Sequence, residues 1–132
     1  MSSGAFRDIR GFLCSSTNVT TLVPKSSIIV GWPRVLDRTP SILITQVAGH
    51  DYGYLGYKKS DPGSRLRREE VTFQLDIVTD NRRDGYIIEN EITPLLIASG
   101  ACRKVSDVDG FDDEANVNRK QVSYLYTKFH DD

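Results

Sequence analysis

The sequence predicts an α+β domain: a single, mostly antiparallel β-sheet, a short N-terminal helix and one longer helix packed on one face, and a long protruding β-hairpin. Three stretches carry that expectation. In residues 69–79, EEVTFQLDIVT, Val71, Phe73, Leu75 and Ile77 alternate with Glu70, Thr72, Gln74 and Asp76, the period of two of a strand with one buried face. Residues 81–99 change to helical spacing, with Ile88, Ile92, Leu95 and Leu96 on one stripe, as a helix covering a sheet requires. Residues 118–129 return to alternation, setting Val122, Tyr124 and Tyr126 against Gln121, Ser123 and Thr127. Elements with one apolar face bury each other when the helix lies on the sheet.

The other elements follow in chain order. Phe6, Ile9 and Leu13 sit at helical spacing with Phe12 beside them, and Ser2 or Ser3 is placed to cap the start, so residues 5–13 read as a short amphipathic helix. Val19, Leu22 and Val23 make one more helical turn before Pro24 stops it. Ile28, Ile29 and Val30 form a short strand closed by Gly31-Trp32-Pro33, and residues 41–48, SILITQVA, suit a central strand because they are apolar on both faces. Asp80 or Asn81 caps the longer helix, Gly100 ends it, and Pro94 inside it is expected to kink or restart it. Residues 103–109 read as a weak edge strand, followed by an acidic turn, GFDDEAN. The whole chain, 1–132, is one domain with a hairpin arm at about 49–69.

Composition narrows the function. A formal charge of −1 with 27% charged residues gives no global attraction to DNA or anionic lipid, and no apolar run is long enough to cross a membrane. The opening residues lack the apolar stretch of a signal peptide, so a soluble protein made in the cytosol is expected. Cys14 and Cys102 lie far apart in no metal-ligand spacing and read as thiols rather than as a zinc site. No phosphate loop, nucleophile elbow or metalloprotease motif is present, so neither enzyme activity nor a cofactor is expected. His50 beside Asp51 lacks a nucleophile fixed near it by sequence. Glu70 and Asp76 stand nearly 20 Å apart along an extended strand, too far to hold one ion. The run Asp112, Asp113, Glu114 has no cation-site spacing. No metal site is expected.

The stretch 49–70, GHDYGYLGYKKSDPGSRLRREE, needs its own account. Tyr52, Tyr54 and Tyr57 interleave with Lys58, Lys59, Arg65, Arg67 and Arg68, while Asp51, Asp61, Glu69 and Glu70 bring the stretch back to about +1. Three readings fit: a nucleic-acid platform of stacked tyrosines, a solvated hairpin whose charges guard an edge, or an assembly arm with tyrosine and arginine anchors. The balanced charge favours the arm over DNA capture. Its natural opposite is the acidic group Asp107, Asp109, Asp112, Asp113 and Glu114.

The order of these segments, from "TTLVP" and Gly31-Trp32-Pro33 through "SILITQVAG" and "EEVTFQLDIVTDNRRDGYIIENEI" to "KQVSYLYTKF", resembles the tail-completion, or tail-terminator, proteins of long-tailed bacterial and archaeal viruses. The resemblance covers essentially the whole chain and implies a non-enzymatic structural protein of the virion, assembled in the host cytoplasm. It implies a homo-hexameric ring on the head-proximal end of the tail tube, ending tube polymerisation and joining the tail to the head-completion or connector protein, with genomic DNA passing through unread. Under it, Tyr52, Tyr54, Tyr57, Arg65, Arg67, Asp112 and Asp113 become expected protein-contact residues, and Lys58 and Lys59 expected neighbours of the passing phosphates. A small nucleic-acid-binding β module that uses the same hairpin is the alternative.

Overall fold

The computed structural model describes residues 3–31, 39–57, 65–99, 102–113 and 116–131, the backbone alone at 3–6, 46–57, 65–67 and 128–131. Two helices open the chain, α1 (Ser3–Ser15) and α2 (Thr17–Leu22), followed by a single 3-10 turn at Lys25–Ser27 and the strand β1 (Ile28–Val30). Then come β2 (Ser41–Tyr57), β3 (Arg65–Thr79), α3 (Arg82–Ala98), β4 (Cys102–Asp112) and β5 (Val117–Asp131). The sheet has five strands in the order β1-β2-β3-β5-β4. Only β1 and β2 run parallel; every other neighbouring pair is antiparallel.

All three helices pack on one face. Ile9 and Leu13 of α1, Val19 of α2 and Ile88, Ile92 and Leu96 of α3 share one buried cluster with Val71, Phe73, Leu75 and Ile77 of β3 and Val122, Tyr124 and Tyr126 of β5. The expected face of β3 is therefore the core face. At its centre Phe73 stacks on Tyr124, with ring centroids 5.3 Å apart and 19° between planes. The Tyr124 hydroxyl shares a hydrogen bond with Thr93 Oγ1 at 2.7 Å, and burial pushes its pKa up to about 12. A smaller cluster of Leu43, Val78 and Val117 forms a second, separate core.

Local signals explain most boundaries. The Ser16 hydroxyl accepts from Val19 N at 3.4 Å and starts α2, and the Asn81 side chain accepts from Asp84 N at 2.9 Å and starts α3. Helix α3 runs without restarting past Pro94, which is exposed. Arg10 of α1 donates through Nε to Ile28 O at 3.0 Å, and Tyr126 donates to Asp8 at 2.9 Å, tying α1 to both sides of the sheet. Ser2, Trp32, Pro33 and Gly100, expected at caps and turns, lie outside the described residues.

Two strands exceed the expectation. β4 extends from Cys102 to Asp112 rather than over 103–109, so Gly110, Phe111 and Asp112 belong to the strand. Asp113 follows β4, and β5 is preceded by Asn116, whose φ of 56° lies in the left-handed region that asparagine tolerates. β5 continues to Asp131 and pairs with β3 as far out as Leu66. The hairpin formed by β2 and β3 therefore has a third strand alongside it, which supplies backbone hydrogen bonds that a two-stranded ribbon lacks.

Replacing Phe73, which is 1% exposed, by alanine empties the stacked centre of this core. Phe73→Ala should cost about 3–5 kcal/mol in urea unfolding. A loss below about 1 kcal/mol would mean that the Phe73–Tyr124 stack does not hold α3 to the sheet.

Candidate functional site

Strand β5 separates two surfaces of different chemistry. Its last residues pair with the outer part of β3, where Arg67 lies opposite His130 and Leu66 opposite Asp131. Its first residue, Val117, pairs with Asp112 beside the acidic turn. Fourteen strand steps at roughly 3.3 Å put the two ends about 45 Å apart. Surfaces so placed cannot meet within one subunit.

The arm is defined by backbone register. Tyr54 lies opposite Arg67 and Tyr57 opposite Arg65, while Tyr52 falls in a shift of register between Asp51 and Tyr54. A further shift follows between Tyr54 and Gly56, and such irregularities strengthen the local twist of a ribbon. Lys58 and Lys59 lie outside the described residues. His50 and Asp51 fall on β2 opposite Glu70 and Glu69.

Asp112 Oδ2 stands 3.7 Å from Arg119 Nη2, and the same guanidinium reaches back, Nε to Asp76 Oδ2 at 3.8 Å. Asp76 is completely buried and accepts from Gln74 Nε2 at 2.6 Å. Burial raises its pKa, against the opposing pull of Gln74, Arg119 and Gln121. An open cleft of about 470 Å³ lies over Gly110, Phe111, Asp112, Asp113, Arg119 and Gln121. Carboxylates beside an exposed aromatic ring suit a guanidinium or ammonium group.

The acidic group is smaller than its sequence suggests. Asp107 sits 2.6 Å from Lys104 Nζ, which also meets the largely buried Glu89 of α3 at 2.7 Å. Asp109 receives Tyr86 Oη at 2.8 Å, Arg82 Nη2 at 3.2 Å and Lys120 Nζ at 3.4 Å, and Lys120 Nζ lies 4.1 Å from the centre of the Tyr86 ring. The Lys104 hydrogen bond holds Asp107 below the usual carboxylate range, and that from Tyr86 does the same for Asp109. Asp109 fastens β4 to α3 and β5 inside the subunit, while Asp107 pairs with Lys104 of its own strand, leaving Asp112 at the end of β4 and Asp113 in the turn; Glu114 lies outside the described residues. Sequence reasoning missed Glu89, Lys104 and Lys120. The signal was a glutamate on the apolar stripe of α3, one residue after Ile88.

Both cysteines are free thiols, Cys102 buried with its pKa raised to about 11 by burial. Among the described residues no three His, Cys, Asp or Glu side chains gather to hold a metal, and no helix is long and apolar enough to cross a membrane.

The raised pKa of Asp76 has a pH signature. The folded chain holds that proton more tightly than the unfolded chain, whose value is near 3.8. Its contribution to stability is full below that value and is lost as pH rises through the raised folded value. Asp76→Asn keeps an acceptor for Gln74 and never ionises, so its stability relative to the parent should grow between about pH 3 and neutrality in urea titrations. A parent chain that instead gains on the variant over that range would show that Arg119 outweighs burial.

No protein-family model matches the chain, and no curated protein matches it. Among solved structures it is similar to a chain from the virion of a native gene transfer agent (GTA) particle, with a TM-score of 0.58 and 7% sequence identity over 90% of each chain. At that identity the likeness is one of fold.

Proposed function

We propose that this chain is a non-enzymatic structural subunit of a virion-like particle, and more specifically the ring that ends a tail tube and joins it to the head-side connector. The observation that carries the reading is the fold likeness to a gene transfer agent virion chain over 90% of both chains. The placement of the two surfaces supports it. A closed ring of identical subunits needs two different, complementary patches on each copy, and β5 sets a tyrosine- and arginine-bearing arm at one end and an acidic cleft at the other. In this reading six copies close the ring, Tyr52, Tyr54, Tyr57, Arg65 and Arg67 grip a neighbour or the tube, and Asp112 and Asp113 face an incoming cation. Lys58 and Lys59 stand near the DNA that passes through the hole and touch its phosphates without reading sequence.

Light scattering of the purified protein, alone and with tail tubes, tests the reading. A ring mass and tubes capped at one end are expected. Deletion of residues 52–64 should leave a folded subunit, since the core ladder begins at Val71, and should abolish both ring and cap. A full-length chain that stays monomeric with and without tubes would sink the proposal. Binding to DNA that collapses steeply with salt would favour the nucleic-acid module instead.

A further inference from the structure

We propose that the outer edge of β4 is the surface that receives the arm of a second copy of this chain. The proposal rests on the ring reading and names the place where its subunits join.

β4 ends the sheet, and among the described residues no strand pairs with its outer side. From Ser106 to Asp112 it keeps an unbroken register with β5, so its outward N–H and C=O groups from Ser106 to Phe111 form a regular row that no described strand fills. Such an edge invites another strand unless charge, proline or a bulge blocks it. β4 has no proline, and its one bulge lies before Ser106. Between Lys104 and Asp109 its charges are held within the subunit, Lys104 by Glu89 and by Asp107 of its own strand, and Asp109 by Tyr86, Arg82 and Lys120, while Arg103 stands before the bulge.

The edge also presents apolar side chains, with Val108 and Phe111 on opposite faces of the sheet by register. Val105, Val108 and Phe111 are 55%, 58% and 55% exposed, three of the seven large exposed hydrophobic residues described. Apolar side chains along an open edge are the usual seat of an added strand.

Charge selects the occupant. Asp112, beside Arg119, ends β4, and the residues that follow it are Asp113 and Glu114. The outer arm, residues 52–67, carries Lys58, Lys59, Arg65 and Arg67 against the single anion Asp61. The arm and the β4 turn lie at opposite ends of β5, so an arm reaches such a turn only on another copy. The contact is head-to-tail, the type that closes into a ring.

Two variants separate the partners. Val105→Lys/Val108→Lys spoils the edge, and Arg65→Glu/Arg67→Glu spoils the arm; thermal melting confirms that each is folded. Each alone should fall from ring mass to monomer in light scattering. Mixed in equal amounts they should form a heterodimer, since one intact edge then meets one intact arm. An edge variant that still assembles like the parent overturns the proposal while leaving the ring reading intact. A mixture that stays monomeric overturns it too. A parent that never self-associates removes both. Carbodiimide cross-linking of parent protein, half of it labelled with ¹⁵N, needs no folded variant. It should join Lys58 or Lys59 of one isotope to Asp112 or Asp113 of the other, and rings whose cross-links omit this pair overturn the proposal.

Discussion

Strand β3 is hydrogen-bonded along both edges, to β2 from Val78 out to Arg65 and to β5 from Thr79 out to Leu66. A strand held on both sides cannot slip, because a shift of one residue would turn its whole apolar ladder to the opposite face. That double constraint decides where the core is. Val71, Phe73, Leu75 and Ile77 are committed to one side, and α3 has a single place on which to lay Ile88, Ile92 and Leu96. The N-terminal helices then complete the layer, with Arg10 and Asp8 bonded to Ile28 and Tyr126.

The two faces treat charge differently. On the helix face the ion pairs form a rim around the apolar core, where Glu89 and Lys120 are largely buried and Asp107 and Asp109 partly exposed. Partly exposed pairs of this kind contribute modestly one by one, but removing the partner of a buried charge is costly. On the other face a single carboxyl, Asp76, is wholly buried beside Gln74 and Arg119. The rim fastens β4 to α3, while Arg119 links the sheet interior to the acidic turn.

Periodicity made the core legible. Alternation in 69–79 and 118–129 and the helical stripe in 81–99 depend only on local geometry, and they picked the residues that the structure buries. Charge partners were legible only where they are local: Asp107 and Lys104 lie three residues apart on β4, but Asp109 finds Lys120, Arg82 and Tyr86, and Lys104 finds Glu89, only once the β4–β5 register and α3 are in place. β4 read as short and weak because its charged residues break the alternation, yet Lys104 and Asp109 are satisfied by neighbours on α3 and β5. The outer part of β5 carried no pattern either. Residues 128–131, KFHD, hold no apolar ladder, and their backbone pairs with β3. Of the candidate site, the arm and the acidic turn were visible as composition, and their separation to opposite ends of one strand was not.

Because β5 carries the core ladder Val122, Tyr124 and Tyr126 in its middle, with the outer part of β3 alongside one end and the acidic end of β4 alongside the other, the distance between those ends is quantised. One residue inserted within the ladder would put the tyrosines on the wrong face, whereas two would keep the parity and lengthen the strand by about 7 Å. Chains that keep this core and differ in the length of β5 would therefore differ here by even numbers of residues, with the span between its ends changing in discrete steps while the core chemistry stays the same.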